Sequence, residues 1–123
     1  MKLSSTLGAA LGAAALVVTS AGVSSAAPTA YTCPIGNICF YSGSNGTGQR
    51  CNWQVSDPDW RAGTTTCSWS SSANVRSVYN NGYTGVVYYT GANYTSRVGC
   101  TGAGGSGNLT GTYKVRSHEF GGC

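Results

Sequence analysis

The sequence predicts an all-β domain held together by disulfides. Three observations carry this: an even set of cysteines in a short chain, a residue content suited to pleated strands, and a motif that occurs twice in one order. The cysteines are Cys33, Cys39, Cys51, Cys67, Cys100 and Cys123. An even count in a short exported chain reads as a disulfide framework, and bridges worth about 2–4 kcal/mol each matter for a domain of this size. A zinc site is disfavoured because there is no Cys-x-x-Cys pair and His118 is the only histidine. Spacing alone does not choose among the possible pairings. Glu119 is the sole glutamate and Lys114 the sole lysine beyond Lys2, and no window carries apolar residues at helical spacing. Tyr, Val, Thr and Trp are abundant instead, and they fit a half-buried pleated surface.

In chain order, the first element is a targeting segment. Lys2 supplies a positive start, an apolar run extends from Leu7 to Val18, and Ser24-Ser25-Ala26 puts small residues at −3 and −1 of a signal-peptidase cut. The apolar core is too short and too rich in Gly and Ala to span a bilayer. Residues 1–26 are therefore expected to be a cleaved signal peptide, and residues 27–123 a single secreted domain. A polar lead-in over 27–32 gives way to candidate strands at Asn37–Ser42, Gln49–Gln54, Thr65–Trp69, Asn74–Tyr79, Thr84–Thr90, Ser96–Cys100 and Gly111–Ser117. Short strands separated by turn residues indicate a sandwich or barrel.

The repeat is the most informative feature. Residues 38–48 (ICFYSGSNGTG) lie over residues 86–96 (VVYYTGANYTS), matching Tyr41 with Tyr89, Gly43 with Gly91, Asn45 with Asn93 and Thr47 with Thr95. Further on, Val75-Arg76-Ser77 recurs as Val115-Arg116-Ser117. Two blocks in one order predict two supersecondary units, about 33–80 and 83–120, neither able to bury its apolar face alone. Asn81-Gly82 reads as the turn that joins them. In each unit an aromatic strand runs into a folded-over hairpin. Ser77 and Ser117 are placed to tie that hairpin down through backbone hydrogen bonds, with Tyr41 and Tyr89 packed at the corner.

Charge and motifs remove several classes of function. After Ala26 the chain carries six positive and three negative side chains, a net +3 with no cluster. A nucleic-acid binder gathers Lys and Arg on one face, so nucleic acid is not an expected partner, and no later apolar run is long enough to cross a membrane. Asp57-Pro58-Asp59 reads as a turn initiator rather than a glycosidase carboxylate pair. His118 and Glu119 are neighbours on a strand and face opposite sides, which rules out a shared catalytic role. Residues 102–107 (GAGGSG) lack the Lys-Ser/Thr of a phosphate loop. No catalytic motif survives, and no enzyme activity, cofactor or metal is expected.

The segments Tyr41-x-x-x-x-Gly46-x-Gly48 and Tyr89-x-x-x-x-Tyr94-x-Ser96, each with a later serine, resemble the Greek-key motif of βγ-crystallins. There an aromatic residue is followed by a second aromatic five positions on and by glycine seven positions on. The first copy keeps the glycine and lacks the second aromatic; the second copy does the reverse. Residues 33–41 (CPIGNICFY), Cys51-Asn52-Trp53 and residues 77–81 (SVYNN) further resemble secreted bacterial peptidase inhibitors of the metalloproteinase-inhibitor type. That resemblance implies a βγ-crystallin-like sandwich of two Greek-key motifs, and a monomer whose partner is a secreted metalloprotease. Microbial βγ-crystallins that bind calcium carry paired Asp/Asn before a Ser/Thr-Ser pair. Here Ser72-Ala73 and Thr112-Tyr113 stand at those positions, with Arg76 and Arg116 beside them, which does not suit a cation that takes several oxygen ligands.

An inhibitor of this kind presents a loop held in substrate-like shape, because rigidity lowers the entropy lost on binding. Two candidates arise: Ile35, between Cys33 and Cys39, and Leu109, in the loop after Cys100. A thermolysin-like target would take such an apolar side chain just after the attacked bond. The competing functions are a non-inhibitory structural, stress or antimicrobial protein of this fold, and a glycan-binding module using Tyr83, Tyr88, Tyr94, Trp53, Trp60 and Trp69. Asn45, Asn93 and Asn108 head Asn-x-Thr sequences that matter only in a eukaryotic secretory pathway.

Overall fold

The structure is a computed structural model and describes residues 31–110 and 112–123. The expected signal peptide lies outside the described residues. The described residues form seven strands in order: β1 Ile38–Tyr41, β2 Arg50–Trp53, β3 Ser77–Asn80, β4 Val86–Gly91, β5 Thr95–Thr101, β6 Ser106–Asn108 and β7 Ser117–Phe120. They form two antiparallel sheets, ordered β2-β1-β3-β6 and β5-β4-β7. β6 belongs to the second half of the chain but completes the sheet of the first. In exchange, Asp57 of the first half pairs with His118 of β7 in the second sheet.

The two sheets close over an aromatic core. Phe40 is fully buried, with its ring centroid 4.8 Å from that of Trp60 and 5.5 Å from that of Tyr88. Trp53 stacks on Trp60 at 4.5 Å. Ile38, Val75, Val78, Val86 and Val115 fill the remainder. Burying aromatic rings of this size is the largest apolar contribution available to a chain with so few leucines and isoleucines.

Both folded-over hairpins are built alike. Ser77 Oγ accepts from the Gly46 amide at 2.8 Å and donates to the Gly43 carbonyl at 2.6 Å. Ser117 Oγ accepts from the Tyr94 amide at 3.2 Å and donates to the Gly91 carbonyl at 2.7 Å. Each serine closes its own hairpin from a strand some distance along the chain.

Three of the expected elements differ. Thr65–Trp69 is not a strand: the Ser70 amide and hydroxyl both return to the Cys67 carbonyl, and the Ala73 amide to Trp69, so serine chemistry closes turns here. Cys67 and Trp69 are buried for packing, not for pairing. The last strand begins only at Ser117, because the backbone before it bonds to several unrelated segments: the Tyr113 carbonyl accepts from Val75, the Arg116 carbonyl from Trp60, and the Arg116 amide donates to Tyr89. β6 falls in the glycine-rich segment expected to be a loop. Asn81-Gly82 does join the halves, within a longer link that passes from one sheet to the other.

Candidate functional site

One end of the sandwich combines exposed apolar side chains with a covalently closed loop. β1 starts there, and β2 and β3 end there. Pro34-Ile35-Gly36-Asn37 forms a type II turn: the Asn37 amide donates to the Pro34 carbonyl at 3.1 Å and Gly36 has φ +88°. A Cβ on Gly36 would find ordinary space, so the positive φ, not crowding, calls for glycine. The Cys33–Cys39 disulfide, with a Cα–Cα distance of 5.9 Å, closes the loop. Ile35 stands at its tip, 73% exposed.

Two adjacent asparagines hold this end together. The Asn81 side chain donates to the Cys33 carbonyl at 2.8 Å, its amide donates to the Asn37 carbonyl at 2.9 Å, and its carbonyl accepts from the Gly36 amide at 2.8 Å. The buried Asn80 side chain donates to the carbonyls of Thr84 and Thr101 and accepts from the Gly82 amide. Its backbone bonds to Gly104 and Gly105. The pair therefore anchors the Cys33–Cys39 loop, the link between halves and the loop between β5 and β6. In the sequence these asparagines read only as turn and motif residues; two neighbouring Asn at a strand end carry no signal that distinguishes an anchor from a turn.

Among the described residues Val55 and Tyr83 are the other large apolar residues left exposed, and both lie at the same end. Val55 follows β2, and Tyr83 sits in the link beside Gly36. Leu109, the second loop candidate, is placed differently. It is half-buried against the core, and its amide donates to the Arg76 carbonyl at 2.9 Å. The structure does not bring Ile35 and Leu109 together.

The remaining candidate residues have structural partners. Trp53, Trp60, Trp69 and Tyr88 are buried in the core, Tyr94 is half-buried against Tyr89, and Tyr83 is exposed. Asp57 accepts from the Asp59 amide, and Asp59 from the Arg61 amide, in successive side-chain turns. Arg116 also grips Asp59 through two hydrogen bonds, of 3.0 and 3.1 Å, which holds its carboxyl below the usual range. Asp57 and Asp59 line a groove of about 420 Å³ together with Trp53 and Val55. His118 is buried and Glu119 exposed. The Trp60 indole donates to His118 Nδ1 at 2.9 Å, so Nε2 carries the proton, directed at the Val55 carbonyl 2.9 Å away. Burial lowers the His118 pKa to about 4. The cysteines pair as Cys33–Cys39, Cys51–Cys67 and Cys100–Cys123. The second bridge fastens β2 to the turn-rich segment and the third fastens β5 to the last residue.

A solved structure from a study of the evolution of the eye-lens βγ-crystallin domain fold is similar to this chain with a TM-score of 0.52 and 16% identity, covering 81% of this chain and 93% of that one. The likeness establishes a βγ-crystallin-like fold. No curated protein matches. A sequence model of peptidase inhibitor family I36 matches residues 26–101, and the chain belongs to that family, which is non-enzymatic and implies a protease as partner.

Proposed function

We propose that the protein is a monomeric inhibitor of a secreted metallopeptidase, exported after removal of residues 1–26, and that the Cys33–Cys39 loop is its substrate-like contact. The observation that carries this reading is Ile35: an apolar side chain 73% exposed at the tip of a bridged, hydrogen-bonded turn. Leaving it in water forfeits the gain its burial would bring, roughly 1.5–3 kcal/mol for a side chain of this type. A protease pocket supplies that burial. The turn is ordered before binding, which lowers the entropic cost of association, and the Ile35 backbone, which makes no hydrogen bond among the described residues, is available to the cleft. Membership of an inhibitor family supports the role, and an apolar residue just after the attacked bond suits a thermolysin-like target. Leu109 is already engaged with the core and so is the weaker candidate.

The test is a titration of the oxidised mature protein against a thermolysin-type metallopeptidase, with a serine protease as control. Stoichiometric loss of the metallopeptidase activity alone is expected. Ile35→Gly should weaken inhibition by about 30-fold, the effect of losing an interfacial anchor worth about 2 kcal/mol. Unchanged inhibition by that variant, or none by the native protein at large excess, contradicts the reading.

A further inference from the structure

Building on the assignment of the Cys33–Cys39 loop as the inhibitory segment, we infer that Asn81 is a positioning residue that keeps the loop an inhibitor rather than a substrate, by clamping the chain on both sides of the Pro34–Ile35 bond. With Ile35 in the pocket that follows the attacked bond, that is the bond a metallopeptidase addresses. Upstream of it, the Asn81 side-chain amide donates to the Cys33 carbonyl at 2.8 Å. Downstream, the Asn81 carbonyl accepts from the Gly36 amide at 2.8 Å and the Asn81 amide donates to the Asn37 carbonyl at 2.9 Å. One residue thus grips both flanks of the bond.

The chemical consequence follows from the hydrolysis itself. Water adds across the amide, the C–N bond breaks, Pro34 gains a carboxylate and Ile35 gains an amine. Neither new end is free to leave. The Cys33–Cys39 disulfide bridges the cut covalently, and Asn81 holds the residues next to each end in their original register. The amine stays against the carboxylate, so the reverse reaction, in which the amide re-forms and water departs, competes with release. Groups held this way react with effective concentrations of roughly 10⁵ M or more. Asn80 supports the clamp from behind: its buried side chain accepts from the Gly82 amide and fixes the backbone on which Asn81 sits. The downstream bonds are main-chain bonds and survive substitution. The upstream bond belongs to the Asn81 side chain alone, which makes it separable by mutation.

Asn81→Asp keeps the shape and removes the N–H donor; Asn81→Ala removes the side chain. Each variant and the native protein are incubated with a thermolysin-type metallopeptidase. The appearance of a new N-terminus at Ile35 is followed by mass spectrometry, and residual inhibition is followed over time. Both variants should be cut at Pro34–Ile35 about tenfold faster than the native protein, consistent with the loss of one hydrogen bond. Their initial inhibition should be near native and then decay. A cutting rate equal to the native one overturns the clamp. So does cutting at many bonds, which general loosening would produce and which a lowered urea midpoint would accompany. If Ile35→Gly inhibits normally, or the native protein is cut elsewhere, the loop assignment itself fails, and that outcome is distinct from native inhibition with an indifferent Asn81.

Discussion

Gly46 and Tyr94 occupy equivalent backbone positions, at φ +71° and +59°, and the difference between them explains why each copy of the motif is incomplete. In the second copy the Tyr94 ring packs against Tyr89 with centroids 5.8 Å apart. In the first, Tyr31 arrives from the lead-in and packs against Tyr41 at the same 5.8 Å. A Cβ on Gly46 would lie 2.7 Å from the Tyr31 amide nitrogen, so the imported aromatic requires the glycine. The motif's later glycine shows the converse. Gly48 takes φ +81°, whereas Ser96 stands in its place at +61° and bears the strain of a side chain in the left-handed region. Ser96→Gly relieves it. We expect the urea midpoint to rise by up to about 1 kcal/mol of stability, the cost of that conformation offset by the greater freedom of glycine in the unfolded chain. A fall in midpoint would show that Ser96 is not strained.

Elements were legible where side chains alternate against a core and illegible where the backbone does the pairing. β1 and β4 turn Ile38, Phe40, Val86 and Tyr88 into the core at alternate positions, and their places follow from pattern. β6 is Ser-Gly-Asn, with no apolar residue to show a period, yet it pairs residue by residue with β3. Thr65–Trp69 had the composition of a strand, and serines further along folded it into turns. The hairpin-closing role of Ser77 and Ser117 was readable because it recurs at matching places. Ile35 was visible as an apolar tip between two cysteines, whereas its anchorage by Asn81 needed the fold. Ser77→Ala leaves the buried Gly46 amide and the half-buried Gly43 carbonyl without their partner. Two unsatisfied groups at about 1–2 kcal/mol each, the lower part of the usual range because the hairpin is only partly buried, should lower stability, read from the urea midpoint, by about 2–4 kcal/mol. A change under 0.5 kcal/mol would mean the hairpin holds itself.

The molecule as a whole is interlocked by the exchange of β6 and Asp57 between halves, and His118 fastens the same seam. From β7 it bonds to Trp60 and the Val55 carbonyl, both in the first half. A second proton on its ring would displace the Trp60 indole. His118 titrates near 6.5 when unfolded and about 4 in the fold, so between those values the unfolded chain binds the proton. Stability should be complete at neutral pH, fall by about 3 kcal/mol as pH drops from roughly 6.5 to 4, and level off from this source below that. Urea midpoints across that range check it; a flat profile would place the folded pKa near its ordinary value. The same interlocking holds one end of the sandwich, with Ile35 at its tip, ready for a protease. Amide hydrogen exchange of the complex with a thermolysin-type metallopeptidase tests it most directly. New protection should appear at the amides of residues 35–37 and 81–83 and be absent at the Asn45 and Asn93 hairpins; protection at those hairpins with exchange at 35–37 unchanged would contradict the account.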